Sequence, residues 1–227
     1  MRSPASIRSA LSEFLRLEAT VPPPSNAAIY LTERFLGHID VRGDPANESF
    51  TRIVEQVTGC VLPLTPNTTA ERESTTALWL GPDEWLLLTT AGSEGELAAR
   101  LRQGLQGHVV SIVDITHGQV VIRLTGARAP DLLRKGCSLD LHPRVFGPGR
   151  CAQTILAKVG VTLRFVDTIP SPSFDLIVRR SFAEYLAYWI KDAGEEFGLS
   201  VSSATSSPRA SYGSQESPLT EPSRRGD

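Results

Sequence analysis

The sequence predicts an α+β fold in which helices pack on mixed or antiparallel sheets. Several predicted strand pairs, such as 77–80 with 85–88, have short links, whereas a parallel crossover needs about a dozen residues. Strand and helix patterns alternate along the chain, so the helices are expected to lie on the sheets that these strand pairs form. The order strand, helix, strand, strand, helix, strand is typical of a ferredoxin-like split unit.

The first predicted element is a short amphipathic helix within residues 1–20, followed by an extended segment at 29–42. Three consecutive prolines stop the helix after residue 21. We expect it either to dock as an arm or to lie loosely on the surface. Its apolar residues are Leu11, Phe14, Leu15 and Leu17.

A second helix is predicted to start at Asp44-Pro45, because Asp suits the N-cap and Pro suits the first helical position. Apolar residues then recur at i, i+3, i+4 and i+7 and form one stripe. Gly59 is predicted to end the helix. The stripe consists of Phe50, Ile53, Val54 and Val57.

Two apolar runs around a Gly-Pro-Asp turn predict a hairpin that contains Trp79 and Trp85. A capping box at Ser93 predicts a helix that runs to about residue 106, and a second box at Ser181 predicts another helix.

The second half of the chain adds further strands and one short helix. Strands at 109–115 and 119–124 flank Thr116-His117-Gly118, which predicts a hairpin turn. A short helix at 128–135 is predicted to stop at Gly136. Further strands are predicted at 151–157, 161–166 and 174–178.

Composition excludes several classes of function. A net charge of −2 gives no basic surplus for binding nucleic acid or an anionic membrane. No apolar run reaches the roughly 18 residues of a membrane helix, and no unbroken apolar core indicates a secretory signal. The cysteines Cys60, Cys137 and Cys151 are too sparse for a disulfide framework. These features predict a cytoplasmic protein.

The composition divides the chain into an N-terminal arm at 1–27, one domain at 28–200 and a tail at 201–227. A division of the domain into subdomains at about 28–107 and 108–200 stays open. The tail contains eight serines and three prolines and almost no apolar residue, so we predict that it is disordered.

Few residues are candidates for chemistry. His117 could act as a general base, but a histidine in a turn is more often a surface residue. The carboxylates Asp83, Glu84 and Asp114 lie near turns and are expected to be solvated. Cys137 follows Lys-Gly and could have a lowered pKa, yet the end of a helix disfavours a thiolate. No phosphate loop, dinucleotide fingerprint or zinc spacing is present, so we assign no catalytic, cofactor-binding or metal residue.

Several runs carry a family resemblance. They are Leu78–Leu87 (LWLGPDEWLL), Val113–Gly118, Val121–Gly126, Leu132–Arg144 (LLRKGCSLDLHPR), Cys151–Thr154 and Arg179–Leu186. Together, and in this order, they resemble the gamma subunit of heterotetrameric sarcosine oxidase over about residues 40–195.

The resemblance implies a fold like a shortened aminomethyltransferase (T-protein) and a non-catalytic role in structure or assembly. It also implies alpha, beta and delta partner subunits. FAD, FMN, NAD and tetrahydrofolate would be bound by partner subunits, and zinc by the delta subunit. The complex would demethylate sarcosine to glycine. The methyl carbon would pass to tetrahydrofolate or leave as formaldehyde, and hydrogen peroxide would form.

The resemblance also gives two expectations about particular residues. The carboxylate on which T-proteins rely for folate chemistry would correspond to Ser74, Thr75 or Thr76, none of which can replace it. Exposed aromatic residues are expected to contribute to the subunit interface. The candidates are Trp79, Trp85 and Phe146.

Two alternatives remain at this point. One is an independent folate-binding protein of the iron–sulfur-maintenance type, which shares the run Lys135–Cys137 but differs from this chain after it. The other is the gamma subunit of an oxidase for another N-methyl amino acid.

Overall fold

The computed structural model describes residues 9–22 and 24–202. The helices are α1 Ser12–Glu18, α2 Glu48–Thr58, α3 Glu94–Gly104, α4 Ala129–Arg134 and α5 Arg180–Gly194, with 3₁₀ turns at Thr116–Gly118 and Glu195–Phe197. The strands are β1 Ile29–Arg34, β2 Leu36–Arg42, β3 Thr69–Arg72, β4 Thr75–Gly81, β5 Glu84–Thr90, β6 Ser111–Asp114, β7 Gln119–Thr125, β8 Cys151–Leu156, β9 Val159–Asp167, β10 Ser173–Arg179 and β11 Leu199–Ser202.

The strands form two sheets, each built around a split unit. The five-stranded sheet has the order β3-β4-β5-β2-β6, and all its neighbours are antiparallel. Its elements β2, α2, β4, β5, α3 and β6 form the predicted ferredoxin-like unit. The predicted α+β class is therefore confirmed.

The six-stranded sheet has the order β11-β1-β7-β10-β9-β8. The elements β7, α4, β9, β10, α5 and β11 repeat the split unit, and β1 is inserted between β11 and β7. β1 pairs parallel with β11 and antiparallel with β7. This sheet therefore joins the beginning and the end of the described chain.

Each sheet is covered on both faces, which creates three apolar layers. Helices α2 and α3 cover the five-stranded sheet, while α1, α4 and α5 cover the six-stranded sheet. The remaining faces pack on each other. Along β5, Trp85 and Leu87 face the helices, and Leu86 and Leu88 face the other sheet. Central strands with two buried faces read as continuous apolar runs, which explains the sequence of β5.

Trp85 anchors the helical face of the five-stranded sheet. Its side chain is fully buried, and its indole Nε1 donates a hydrogen bond to the Pro63 carbonyl at 2.8 Å. Its ring lies 5.9 Å from that of Phe50 on α2. The hydrogen bond meets the requirement that a buried indole N–H be paired.

The predicted hairpin at 109–124 is wrong. β6 belongs to the five-stranded sheet and β7 to the six-stranded one, so the turn between them connects the two layers. The buried Thr116 fixes this turn, because its hydroxyl accepts a hydrogen bond from the His38 backbone N–H at 2.9 Å. Alternating apolar residues cannot indicate which sheet a strand joins.

The predicted helix starts also need correction. α2 begins at Glu48, where the Asn47 side chain accepts hydrogen bonds from the backbone N–H groups of Ser49 and Phe50. Asp44 instead closes a turn by accepting from the Ala46 N–H. Ser93 makes no side-chain cap, and at this helix start Glu94 accepts from the Gly92 N–H.

α5 begins one residue before Ser181, because the helix follows directly from β10, so Ser181 lies in its first turn. Gly59 ends α2 as predicted, with a φ of 72°.

Two short strands were not predicted. β3 lies in a segment for which no strand was predicted, and β11 extends to Ser202, inside the predicted tail. Residues 203–227 lie outside the described part of the chain, so the disorder of the tail stays a prediction. The division into an arm, a domain and a tail also stays a prediction.

The helix at 12–18 packs on the six-stranded sheet. Leu11 and Phe14 are fully buried, and the Phe14 ring meets that of Tyr188 edge-on at 5.2 Å. The described part of this segment is therefore docked on its own fold.

No helix in residues 9–22 and 24–202 is long and apolar enough to cross a membrane. The cytoplasmic location stays a prediction.

Replacing Asn47 with alanine should destabilise the protein by about 1 kcal/mol, because two backbone N–H groups lose their acceptor. Ser93→Ala is the matched control and should change stability by less than about 0.5 kcal/mol, since Ser93 makes no cap. Urea unfolding of both variants measures this difference. Equal losses would contradict the assignment of Asn47 as the cap.

Candidate functional site between the two sheets

A row of charged side chains crosses the face of the six-stranded sheet that meets the other sheet. Arg123 on β7 lies opposite Asp175 on β10, which in turn lies opposite Arg164 on β9. Opposite residues of antiparallel strands share a face. Val121 and Ile177, two residues along the same strands, belong to the layer between the sheets. The register therefore places three charges inside the molecule.

Asp175 and Arg123 form a two-pronged ion pair. Asp175 is fully buried, and the Arg123 Nε and Nη2 atoms lie 2.7 and 2.8 Å from its two oxygens. Burial alone would lower the pKa of Arg123, but the hydrogen bond and attraction of Asp175 outweigh it and raise that pKa. This geometry is the one in which arginine pairs most strongly with a carboxylate.

Arg164 connects the two sheets. Its Nη1 atom lies 3.7 Å from Asp175, and its Nη2 atom donates to Glu71 on β3 of the facing sheet. Its Nε atom is buried and has no hydrogen-bond partner among the described residues. Arg164 therefore retains one unmet donor.

His38 is a buried titratable group on the facing sheet. Its side chain is 2% exposed, and neither ring nitrogen has a hydrogen-bond partner among the described residues. Burial lowers the pKa of His38 to about 4. The Leu36 backbone, which lies near the ring without the geometry of a hydrogen bond, and the carboxylates of Asp114 and Asp175 oppose this shift only in part. The imidazole is therefore neutral at pH 7.

One end of the layer opens into a cavity of about 490 Å³ with a pair of carboxylates in its wall. Arg42 binds Glu84 at 2.7 Å and approaches Asp40 at 3.5 Å. Burial, together with the hydrogen bond and repulsion from Asp40, raises the pKa of Glu84 despite Arg42. Gln153 and Phe182 form other parts of the wall.

At the opposite ends of the strands lies a second cavity, of about 210 Å³. Arg34, Arg123 and Arg164 line it from the six-stranded sheet, and Thr76 and Leu88 line it from the other sheet. The layer between the sheets thus opens at one end into the cavity lined by Asp40 and Glu84. At the other end it opens into the cavity lined by the three arginines, which we call the basic cavity.

The candidates from the sequence do not meet in one site. His117 is exposed in the 3₁₀ turn, and Asp83 is exposed in the β4–β5 turn. Asp114 is also exposed and accepts from the Thr116 N–H at 3.0 Å. Glu84 differs from the prediction, because it is only partly exposed and joins the carboxylate pair.

Cys137 is 9% exposed, and its sulfur lies 3.8 Å from the Thr154 hydroxyl. This placement agrees with a small buried residue after a helix end. Among the described residues, no group of three or more His, Cys, Asp or Glu side chains could hold a metal ion.

The exposure predicted for Trp85 and Phe146 is wrong, whereas an interface role for the partly exposed Trp79 stays a prediction. Trp85 is fully buried, Phe146 is 6% exposed, and Trp79 is partly buried against the core of the five-stranded sheet. Both faces of the hairpin are covered, which the local pattern did not reveal. Three positions were expected to correspond to the folate carboxylate of T-proteins. Thr75 and Thr76 are both buried, and Ser74 and Thr76 line the cavity of Arg34, Arg123 and Arg164.

The charged row was missed by the sequence reasoning, although a signal exists. Arg123, Arg164 and Asp175 each stand directly between two large apolar residues of a strand. A charge in such a strand requires a partner, since burial of an unpaired charge is costly. Three such strands in one chain therefore indicate mutual pairing.

Comparisons with known proteins give concordant results. The model of the sarcosine oxidase, gamma subunit family matches residues 42–196. Two proteins called sarcosine oxidase subunit gamma are 35% and 34% identical, the first from Corynebacterium sp. (strain P-1) and the second from Arthrobacter sp.. Each alignment covers 85% of this chain and 92% of the relative.

Solved structures show the same relation. A chain of the heterotetrameric sarcosine oxidase from Corynebacterium sp. U-96 superposes with a TM-score of 0.75 at 30% identity, covering 84% of this chain and 96% of that one. The glycine cleavage system aminomethyltransferase T from Bartonella henselae superposes with a TM-score of 0.58 at 16% identity, covering 86% of this chain and 50% of that one. The second match shows a shared fold and confirms the predicted T-protein-like architecture.

Asp175→Asn should destabilise the protein by about 3–5 kcal/mol, because Arg123 would stay buried without its ionised partner. Asp131→Asn is the control, since its pairs with Arg128 and Arg134 are largely exposed and should contribute less than about 1 kcal/mol. Urea unfolding at pH 7 compares them. Similar losses for both variants would contradict the role of the buried pair.

His38 should make stability depend on pH. Folding lowers the pKa of His38 from 6.5 to about 4, so the unfolded chain binds the proton first as the pH falls. The free energy of unfolding is therefore at its full value above pH 6.5 and decreases as the pH falls towards 4. The loss should reach about 3 kcal/mol. His38→Leu should remove this part of the pH dependence in urea unfolding between pH 7 and 4, whereas the exposed His117→Leu should retain it. Parallel curves for wild type and His38→Leu would refute the prediction.

Proposed function

The chain belongs to the sarcosine oxidase gamma subunit family, and from this membership we propose that it is a non-catalytic structural subunit of a heterotetrameric sarcosine oxidase. One observation carries the proposal. The fold matches nearly the whole length of one chain of such an enzyme, 96% of it, at a TM-score of 0.75. The structural correspondence thus extends to an entire subunit.

The proposed partners are alpha, beta and delta subunits. In this arrangement the partner subunits bind FAD, FMN, NAD and tetrahydrofolate, and the delta subunit binds zinc. The complex oxidises sarcosine to glycine. The methyl carbon passes to tetrahydrofolate or leaves as formaldehyde, and oxygen is reduced to hydrogen peroxide. The present chain contributes surface and rigidity to this assembly.

The exposed apolar residues around the β8–β9 hairpin are the proposed contact with a partner subunit. Ile155 on β8 is 58% exposed, and Phe182 and Tyr185 on α5 are 47% and 46% exposed. Tyr185 donates a hydrogen bond to the Ala157 carbonyl, which holds α5 against the turn between β8 and β9. Obligate interfaces are apolar at their centres, and aromatic residues are enriched there.

Purification of the tagged full-length chain from its native host tests the subunit role. We expect flavin-bearing large subunits in mass spectrometry, flavin absorbance in the same sample, and oxygen consumption with sarcosine. A colourless chain without stable partners would overturn the proposal. Oxygen consumption with a different N-methyl amino acid, but not with sarcosine, would keep the subunit role and change the substrate.

The double variant Ile155→Asp with Phe182→Asp should lower the yield of co-purified flavin at least about tenfold, because charged side chains would be desolvated at the contact. Val61→Asp is the matched control, since Val61 is also 58% exposed but lies elsewhere, after α2. Absorbance at the flavin maximum per mole of tagged chain gives the readout. An unchanged yield in the double variant would show that the partner binds another surface.

A further inference from the structure

The basic cavity between the sheets contains one guanidinium, that of Arg34, which has no carboxylate partner in residues 9–22 and 24–202. Arg34 stands at the end of β1 and lines this cavity with Arg123 and Arg164. Among the described residues, no hydrogen bond or ion pair joins Arg34 to a carboxylate, although Asp175 attracts it at longer range. Burial, followed by repulsion from Arg123, lowers the pKa of Arg34. The fold thus leaves this positive charge partly desolvated.

Apart from Glu73, the other charges of the cavity are paired among the described residues. Asp175 is held by both prongs of Arg123, and Glu71 accepts from Arg164. Three guanidinium groups therefore face two paired carboxylates. Glu73 also lines the cavity, but it is exposed at the rim. Glu71 is exposed as well, with 60% of its side chain accessible, so what the cavity lacks among the described residues is a carboxylate in contact with Arg34.

The cavity also contains a hydrogen-bond donor that has no acceptor among the described residues. The Nε atom of Arg164 is buried without a partner in the described part of the chain, and the residue itself is 6% exposed. A buried unmet donor costs free energy, and a native structure normally satisfies it with water or a ligand. Thr76, which also lines the cavity, adds a neutral hydroxyl. Both the charge and the unmet donor therefore favour an acceptor with negative charge.

The size of the cavity limits that acceptor. At about 30 Å³ per water, 210 Å³ holds about seven water molecules. Sites for drug-sized ligands are larger, about 300–1,000 Å³. An acetate or an inorganic phosphate fits this space whole, whereas only part of a folate would fit in it.

We propose that the cavity lined by Arg34, Arg123 and Arg164 binds a small oxyanion, either a carboxylate or inorganic phosphate. Arg34 supplies the unpaired charge and a planar pair of donors, which matches the geometry of both anions. Arg164, which lines the same cavity, supplies the unmet donor. The proposal concerns this chain's own interior and does not depend on the subunit role.

Calorimetric titration of the full-length chain, with any subunits that co-purify, tests the proposal at constant ionic strength. The probes are sodium acetate and sodium phosphate, with sodium chloride as the reference. We expect saturable binding of at least one probe beyond chloride. Arg34→Gln should weaken it at least about tenfold, whereas Arg52→Gln, which removes an exposed arginine from α2, should leave it unchanged.

A second variant tests the location independently of Arg34. Glu73→Gln removes the negative charge at the rim and should tighten binding about twofold or more, because repulsion of the anion falls. Absence of saturable binding of both probes overturns the proposal. Binding that neither Arg34→Gln nor Glu73→Gln changes also overturns it, since the anion would then bind elsewhere. Binding of acetate alone or of phosphate alone supports the site and identifies its ligand.

Discussion

The covering of both sheets on both faces is the constraint on which the rest of this structure depends. Two layers of strands lie between two layers of helices, so the central strands have no solvated face. Their side chains must be apolar or must find partners inside the molecule. This requirement explains the apolar hairpin, the burial of Trp85 and the pairing of Arg123 with Asp175.

The charged row favours one register of the strands, although burial of its charges costs desolvation free energy. A buried ion pair rarely contributes more stability than well-packed apolar residues, but it tolerates few alternative arrangements. A one-residue slip of β10 would turn Asp175 towards the helices and leave Arg123 unpaired. We infer that the row helps to fix the register of the six-stranded sheet, while Arg164 and Glu71 align that sheet with its neighbour.

Sequence reasoning succeeded where a feature depends on local chemistry and failed where it depends on tertiary context. The Trp hairpin, the glycine end of α2 and the split unit follow from turns and periodicity. The connection at Thr116 looks like a hairpin turn locally, yet the strand that it leads to joins the other sheet. Asp and Asn are both favoured N-cap residues, so residue type does not distinguish Asp44 from Asn47. Only the backbone conformation shows that the helix begins after Asn47. The charged row needed the strand register, which a single sequence does not provide.

The insertion of β1 between β7 and β11 has a consequence for synthesis on the ribosome. The five-stranded sheet is complete once residue 114 has emerged, whereas the six-stranded sheet needs the last described strand, β11. β1 can pair with β7 once residue 125 has emerged, but its other neighbour, β11, comes last. The inner face of the finished sheet, including Leu86 and Leu88, stays uncovered until the strands of the other sheet have formed. Because exposed apolar faces and unpaired strands promote aggregation, this interval is when the nascent chain most needs a chaperone.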